Sequence, residues 1–326
     1  MSKQTVFSGI QPTGDVHIGN YLGALRNWVA LQDEYDTIYC VVDLHATTVP
    51  YDASELHDNR VSTAKLLMAV GVEPSRSLLY FQSQVPQHAE LSWILGSMTP
   101  LGALNRMTQY KEKAEKAGQM LGLYSYPVLM AADIMVHKAH AVPVGDDQTQ
   151  HLELTRDLAE RFNNRFGDTF PIPEQITPKR GARIMSLQDP TAKMSKSDGD
   201  PRGSVLLLDS ADTIVKKFKS AVTDSEREVS YDREKKAGIS NLLDILSIYT
   251  GESVDALVDE YADAGYGVFK QAVADAVVEG LAPIRTAYNA LDDQEVSRIM
   301  ARGALDARTR AEQEMADVRT KVGLGA

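Results

Sequence analysis

Residues 7–24, FSGIQPTGDVHIGNYLGA, give the first indication of how this chain folds. The stretch opens with a short apolar run, turns through two glycines and a proline, and then enters a helical pattern. Four apolar residues of that pattern recur at helical spacing, namely Ile18, Leu22, Leu25 and Val29. This spacing places them on one face of a helix, turned towards a core. The sequence therefore predicts a strand, a tight turn and a helix.

Two polar residues, His17 and Asn20, share a different face at the N-terminus of this predicted helix. A helix N-terminus carries partial positive charge and unpaired N–H groups, so it suits a phosphate group. Gly19 beside them lets a bulky ligand lie close to the backbone. The same residues also fit a helix that His17 and Asn20 merely cap, and this stretch alone does not separate the two interpretations.

A second informative stretch lies far downstream, at residues 193–197 (KMSKS), among Pro, Gly, Ser and Asp residues. Such surroundings are typical of an exposed loop. Lys193 and Lys196 can bring point charges to a polyphosphate, and the two serine hydroxyls offer further hydrogen bonds. A lysine pair of this kind, taken singly, is usually part of a solvated basic loop.

Composition indicates a globular protein with one large domain and a smaller one, because the chain has 326 residues, 43% apolar and 24% charged. The apolar runs are interrupted within about ten residues, so we expect no membrane span. The first residues lack a secretory or transit signal, which favours a cytoplasmic location. Cys40 is the one cysteine, so neither a disulfide within the chain nor a cysteine-based zinc site is possible.

The net charge of −11 argues against indiscriminate nucleic-acid binding, although a specific RNA partner remains compatible with local basic patches. Each candidate patch fits a solvated surface equally well. The candidates are Arg106, Lys111, Lys113 and Lys116; Lys179, Arg180 and Arg183; and Lys216, Lys217 and Lys219.

Short β-rich runs alternate with helical patterns up to about residue 200, which predicts a doubly wound, Rossmann-like parallel sheet. The predicted strands are 5–8, 37–42, 77–82 and 141–144, and a proline-rich connection is expected between residues 171 and 178. After residue 205 the pattern is helical, at about 209–222, 239–250, 253–263 and 267–291, with two more helices in 293–322. Pro283 is expected to kink or end a helix. We therefore expect an α/β domain at 1–205, joined by the returning segment 293–326, and an all-helical domain at 206–292.

Asp133 is the only charged residue in the apolar stretch 126–136. Tyr126, Met130 and Asp133 are spaced so that a helix sets them on one face, which offers an aromatic wall, a thioether and one carboxylate. An indole is a flat apolar group with a single N–H donor, and it matches this face. The alternative is a buried structural acid paired with a neighbouring Arg or Lys.

Residues 17–20 (HIGN) followed by residues 193–197 (KMSKS) resemble the paired signatures of class I aminoacyl-tRNA synthetases. Asn20, at a position where most members have a second His, is similar to the tryptophan-specific branch. Further segments similar to that branch are 8–12, 126–134, 142–148, 150–157 and 184–187. The resemblance is strong over about 5–225 and looser over the helical remainder.

The resemblance implies ATP-dependent activation of L-tryptophan to tryptophanyl-adenylate, followed by transfer to the 3′ end of tRNA(Trp) for protein synthesis. It assigns the catalytic roles to His17, Asn20, Lys193 and Lys196. The implied nucleotide-binding residues are Gln11, Pro12, Thr13, Gly19, Asn20, Gly145, Asp146, Asp147, Ile184, Lys193, Met194, Ser195, Lys196 and Ser197. The implied tryptophan-binding residues are Phe7, His45, Tyr126, Met130, Asp133, Val142, Val144 and Gln148. No protein metal site is expected, and Mg²⁺ should arrive with ATP, held by its phosphates and water.

The resemblance also implies a homodimer and an anticodon-reading role for the helical domain. Two residues depart from the usual family pattern, since Leu44 stands where Gln is general and Ala103 where an acid is general. Three rival interpretations remain, namely a tyrosine-specific relative, a non-catalytic RNA-binding or regulatory protein on the same scaffold, and a nucleotidylyltransferase that acts without tRNA. The tyrosine-specific relative is disfavoured by residues 7, 11–12 and 145–148. The non-catalytic protein is disfavoured by the presence of all four signature residues, His17, Asn20, Lys193 and Lys196. The nucleotidylyltransferase is disfavoured by the long helical C-terminal half.

Overall fold

A computed structural model describes residues 3–12, 16–108, 118, 120–145, 148–176, 183–195 and 200–325 of the chain. Contacts divide the chain into two compact units. The first unit comprises Met1–Gly14, Asn27–Lys179 and Leu291–Ala326, and the second comprises Asp15–Arg26 and Arg180–Ala290. This division rests on contacts and does not test function. The functional boundaries expected after residues 205 and 292 therefore stay a prediction.

The first unit contains a five-stranded parallel sheet, as the alternating sequence pattern predicted. Its strands are β1 (Thr5–Ile10), β2 (Asp36–Val41), β3 (Ser77–Phe81), β4 (Ala141–Pro143) and β5 (Glu174–Ile176). Their order in the sheet is β3-β2-β1-β4-β5, so the direction of winding reverses between β1 and β4. Ligands of open α/β sheets bind beyond the carboxyl ends of the strands at such a reversal. Residues 11–12 and 144–145, which follow β1 and β4, therefore stand at the expected binding edge.

Strand β5 was not predicted, because its residues lie within the proline-rich connection. It has only three residues and pairs with β4 at one edge of the sheet. An edge strand needs hydrogen bonds on one side only and therefore tolerates nearby prolines. A segment this short also carries too little alternation to be recognised from sequence.

The helices of the described residues follow much of the predicted pattern, and three of the differences are described below. They are α1 (Ile18–Asn20), α2 (Arg26–Glu34), α3 (Asp43–Ala46), α4 (Ala53–Ala69), α5 (Gln87–Gly96), α6 (Leu101–Leu104), α7 (Leu121–Met135), α8 (Thr149–Phe166), α9 (Ala211–Lys219), α10 (Ala237–Thr250), α11 (Val254–Tyr261), α12 (Gly265–Ala290) and α13 (Asp293–Val322). None of these helices is long and apolar enough to cross a membrane.

The first difference is a π-helical turn at Tyr21–Leu25, which stands between α1 and α2. The residue buried after Leu25 is Trp28, whereas Val29, which the sequence pattern placed on the core face, is only half-buried. The other two differences concern helix ends. Helix α12 continues through Pro283, and residues 293–322 form one helix instead of two.

Helix α13 lies against the edge strand β3 in the first unit. Its buried residues recur every three or four positions, at Ala304, Ala307, Ala311, Met315 and Val318. Small alanines along this face let the helix approach closely, and the helix covers an edge strand that would otherwise expose unpaired backbone groups. The closest approach is at Gly303, where an added Cβ would overlap the carbonyl oxygen of Leu79.

We therefore expect Gly303→Ala to lower the free energy of unfolding by roughly 2 kcal/mol or more, because the helix must move away from β3. The matched control is Gly96→Ala at the end of α5, where an added Cβ meets nothing within 4 Å. Alanine there should be neutral or slightly stabilising. Chemical denaturation of both variants measures the difference, and equal stabilities would contradict the close helix–strand packing.

Candidate active site

His17 and Asn20 form a reciprocal capping box at the start of α1, within the second unit. The backbone N–H of Asn20 donates to His17 Nδ1 over 3.3 Å, and the backbone N–H of His17 donates to Asn20 Oδ1 over 3.3 Å. The structure therefore contains the hydrogen bonds that the capping interpretation predicts. The phosphate-binding role of these residues stays a prediction, and the two roles are compatible because capping fixes the direction of both side chains.

Close packing explains why residue 19 is a glycine. A Cβ there would lie 3.0 Å from two ring atoms of His17 and 3.7 Å from the Cβ of Ile184. The segment is also held by backbone pairing within the second unit, since Ile18 N–H donates to Val205 and Leu207 N–H donates to the Val16 carbonyl. These contacts keep the His17 ring, which is 6% exposed, in a defined place.

The lysine-bearing stretch is more ordered than an exposed loop over its first residues. Met194 N–H donates to the Ile184 carbonyl, and Met185 forms an antiparallel bridge with Lys193. Ile184 and Met194 are buried, whereas Lys193 is exposed. The expected exposure is thus wrong for Met194, which is buried together with Ile184 beside an isolated β-bridge, whereas Lys193 is exposed as predicted. Lys196 and Ser197 lie outside the described residues, as do Thr13, Asp146 and Asp147.

Asn241 of α10 supports this β-pairing, and sequence reasoning missed it. Its side-chain amide donates to the Met185 carbonyl over 3.0 Å, and its Oδ1 accepts from the Met185 N–H over 2.9 Å. An amide that replaces a missing strand neighbour in this way fixes the backbone next to Ile184. The available signal was a single asparagine among the apolar residues Ile239, Leu242 and Leu243 of the predicted helix.

Asp133 lies in the first unit, on α7, and is 1% exposed. Its Oδ2 lies 2.8 Å from His45 Nε2, and its Oδ1 accepts from Gln82 Nε2 over 2.7 Å. His88 Nδ1 lies 2.7 Å from the same Oδ1, but its N–H points off the line to the oxygen. The partners are therefore two histidines and a glutamine, not the Arg or Lys of the structural alternative.

These contacts decide the charge of the carboxylate. Burial alone would raise the pKa of Asp133, but the interactions with His45 and His88 outweigh burial and lower the pKa to about 2, from an ordinary 3.8. A depressed pKa means that the ionised form stabilises the fold above pH 3.8 and that this contribution is lost as the pH falls towards 2. Asp133 is therefore an ionised acceptor at neutral pH inside an apolar helix face.

Gln82 and His88 are site residues that the sequence analysis missed. Both follow strand β3, at the same carboxyl edge of the sheet that His45 occupies after β2. Ligand-binding groups of open α/β sheets follow the strands, and this rule would have found Gln82 directly after β3. Gln82 Oε1 accepts from the backbone N–H of Leu44 over 3.1 Å. Leu44 is one of the two residues that depart from the family pattern, and its backbone makes a polar contact that its side chain cannot make.

The other predicted tryptophan-binding residues also belong to the first unit. Phe7, Val142 and Val144 are buried in one apolar cluster, against which Met130 packs. Tyr126 Oη lies 2.8 Å from His151 Nε2. Gln148 is the N-cap residue of α8, and its N–H donates to the carbonyl of Gly145. The structure therefore brings an apolar cluster and an ionised carboxylate into one unit.

The predicted nucleotide-binding residues are divided between the units. Gln11, Pro12 and Gly145 belong to the first unit, with Gln11 and Gly145 exposed and Pro12 buried. His17, Gly19, Asn20, Ile184, Lys193, Met194 and Ser195 belong to the second. Among the described residues, no group of three or more His, Cys, Asp or Glu side chains is arranged to hold a metal ion.

Comparison with known proteins places this arrangement in a family. The family model described as tRNA synthetases class I (W and Y) matches residues 1–282. A tryptophan–tRNA ligase of Caldanaerobacter subterraneus subsp. tengcongensis is 54% identical over 320 residues, covering 98% of each chain. The crystal structure of tryptophanyl-tRNA synthetase from Mycoplasma pneumoniae is similar with a TM-score of 0.88 and 34% identity, over 99% of this chain and 98% of that one. The Campylobacter jejuni enzyme, whose structure is complexed with ADP and tryptophan, has a TM-score of 0.87 and 35% identity, over 98% of this chain and 100% of that one. The chain belongs to the class I tRNA synthetases of the tryptophan and tyrosine group.

Proposed function

We propose that this chain is a tryptophan–tRNA ligase, which activates L-tryptophan with ATP and transfers it to tRNA(Trp). The observation that carries the proposal is the ionised, fully buried Asp133 on the same helix as Tyr126 and Met130. The names of the full-length relatives point the same way, and one similar structure contains ADP and tryptophan.

The pocket explains how tryptophan is selected. The indole N–H donates to Asp133, and the apolar cluster that includes Phe7 and Val142 surrounds the rings. Tyrosine and phenylalanine fill this space less completely and leave a buried carboxylate without its donor. A site built around such a hydrogen bond discriminates by about 10⁴ or more, so no editing site is needed.

The reaction has two steps. A carboxylate oxygen of tryptophan attacks the α-phosphorus of ATP, the bond to the β-phosphate oxygen breaks, and pyrophosphate leaves. A ribose hydroxyl at the 3′ end of the tRNA then attacks the carbonyl carbon of the adenylate, and AMP leaves with the bonding electrons. Phosphoryl chemistry of this kind depends on positioning and on stabilising negative charge.

The signature residues of the second unit supply that stabilisation. His17 and Asn20, fixed by their mutual hydrogen bonds, hold the triphosphate. Lys193 and Lys196 neutralise the leaving pyrophosphate. Mg²⁺ enters with ATP, bound by phosphates and water, and no step is assigned to a protein-held metal.

Aminoacylation of tRNA(Trp) with radioactive tryptophan tests the proposal. Charging that requires both ATP and tryptophan is the expected result. Adenylate formation without charging would instead favour a nucleotidylyltransferase, and neither activity from folded protein would favour the non-catalytic RNA-binding alternative. We place the reaction in the cytoplasm and assign anticodon recognition to the helical region 206–292.

The proposed enzyme acts as a homodimer. Three large apolar side chains are strongly exposed on neighbouring helices of the first unit: Trp93 at 81%, Leu101 at 69% and Leu121 at 79%. The helices that carry them are neighbours, because α5 and α6 both contact α7, and Tyr124 Oη donates to the Leu101 carbonyl over 3.2 Å. Large exposed apolar side chains on neighbouring helices are typical of a subunit interface.

We expect Trp93→Glu combined with Leu121→Glu to convert the dimer to a monomer, because charges would be buried at the interface. Sedimentation equilibrium measures the mass. Leu305→Glu on α13, at a side chain that is 57% exposed, is the matched control and should leave the dimer intact. A monomeric unmodified protein, or equal dissociation of both variants, would contradict this interface.

A further inference from the structure

A cluster of buried polar side chains extends from Asp133 into the first unit. His88 Nδ1 lies 2.7 Å from Asp133 Oδ1, and His88 Nε2 lies 2.9 Å from Tyr80 Oη. Tyr80 Oη also lies 2.7 Å from His137 Nε2. We call Tyr80, His88 and His137 the buried polar cluster. Tyr80 and His88 are 0% exposed and His137 is 7% exposed, so no bulk water competes for these contacts.

The ionised carboxylate determines where the protons of the cluster lie. A ring nitrogen 2.7 Å from an ionised carboxylate oxygen would be repelled by it without a proton, so His88 holds a proton on Nδ1 and contacts Asp133 through charge, although this N–H is not aligned with the oxygen. In a neutral His88, Nε2 is then an acceptor, and the Tyr80 hydroxyl donates to it. Tyr80 in turn accepts from His137 Nε2. This order leaves the proton off His137 Nδ1, a nitrogen that makes no hydrogen bond within the described residues.

The proton order gives Tyr80 a defined task. Its hydroxyl selects the His88 tautomer that presents an N–H towards Asp133. Gln82 donates a hydrogen bond to Asp133 Oδ1, His88 Nδ1 lies 2.7 Å from the same oxygen, and His45 Nε2 lies 2.8 Å from Oδ2. The three contacts leave the carboxylate with one orientation and with limited remaining capacity to accept a hydrogen bond.

We propose that Tyr80 and His88 are positioning residues for amino-acid selection, which orient Asp133 so that its remaining lone pair meets the indole N–H. The inference rests on the proposed function, because it takes tryptophan as the amino acid and Asp133 as the acceptor. Neither residue touches the reacting atoms. A purely structural cluster would contribute to folding stability without affecting which amino acid is chosen.

The test compares tryptophan with benzothienylalanine, in which sulfur replaces the indole N–H. The measured quantity is the ratio of kcat/KM for the two amino acids in ATP–pyrophosphate exchange. Tyr80→Phe should lower this ratio roughly fivefold, the equivalent of one hydrogen bond, with the KM for ATP unchanged. Tyr39→Phe is the matched control, because Tyr39 is also 0% exposed and lies on the adjacent strand, but its hydroxyl bonds to the Trp28 carbonyl.

Two substitutions of His88 provide an independent arm. An asparagine amide can replace Nδ1 of the ring, and a glutamine amide can replace Nε2. His88→Asn should therefore retain most of the ratio, whereas His88→Gln should lower it. Tyr80→Phe should have no further effect in the His88→Asn background, because the tautomer no longer matters.

The outcomes separate this inference from the proposed function. If the unmodified protein prefers tryptophan and Asp133→Asn removes the preference, the function stands. Equal ratios for Tyr80→Phe and Tyr39→Phe, or a larger loss in His88→Asn than in His88→Gln, would then overturn the positioning role alone. An unmodified protein that does not distinguish the two amino acids would overturn the assignment of Asp133 itself.

Discussion

Replacing Asp133 with alanine is expected to lower kcat/KM for tryptophan by about 10⁴ in ATP–pyrophosphate exchange, while the KM for ATP changes little. The substitution removes the acceptor for the indole N–H. It also leaves His45, Gln82 and His88 without their shared partner. The selectivity for tryptophan over benzothienylalanine should also disappear, because the analogue has no N–H to donate to Asp133.

Loss of stability has to be separated from loss of recognition, since removing one member of a buried ionic cluster costs about 3–5 kcal/mol. Asp133→Asn keeps the shape and one acceptor oxygen, and it should fold while still losing most selectivity. Asp43→Ala is the matched control, because Asp43 is also buried but is bound by Arg60 and Ser83. If the KM for ATP rose as much as the KM for tryptophan, Asp133 would have a structural role only.

Replacing Lys196 with alanine is expected to slow tryptophanyl-adenylate formation by roughly 10²–10³, the effect of removing one group that stabilises developing charge. Tryptophan affinity should change little, because the lysine acts on the leaving pyrophosphate. Single-turnover measurement of adenylate formation isolates this step from product release. Lys193→Ala should act in the same direction.

Lys219→Ala is the control for general loss of positive charge, since Lys219 is an exposed lysine on α9 in the same unit. It should leave the activation rate unchanged when no tRNA is present. An unchanged single-turnover rate in Lys196→Ala would remove this lysine from the mechanism. An equal slowing in Lys219→Ala would show that net charge, and not position, controls the rate.

The parallel sheet was predictable because strands buried on both faces have a simple sequence signature. Residues 37–42 form a nearly continuous apolar run, and β2 occupies Asp36–Val41. Strand β5 was not predictable, since three residues among prolines show neither alternation nor an apolar run. The π-helical turn at Tyr21–Leu25 was missed for a related reason, because one altered turn barely changes a helical pattern.

Motifs located candidate site residues in the sequence, but not their contacts. The resemblance singled out Asp133, His45 and Tyr126 from their positions along the chain. The contacts of Gln82 and His88 with Asp133 arise from tertiary packing, over separations of 51 and 45 residues, and a single sequence does not record such pairs. Composition likewise places Asp133 in an apolar stretch without showing which donors keep it ionised.

The two interpretations of the segment at His17 illustrate a further limit. A capping histidine and a phosphate-binding histidine require the same residue types at the same helix end. The structure contains the capping hydrogen bonds, and the phosphate role has to be measured. The same holds for the lysine stretch, where burial of Ile184 and Met194 explains the β-pairing but not the chemistry of Lys193.

The most direct test of the account is ATP–pyrophosphate exchange with each of the twenty amino acids in the absence of tRNA. Exchange that depends on tryptophan alone is the predicted result, because only its indole supplies both the shape and the N–H donor that the Asp133 pocket requires. Exchange with tyrosine would retain the fold and the two-step chemistry but contradict the role of Asp133. Absence of exchange with any amino acid, from well-folded protein, would contradict the proposed activity.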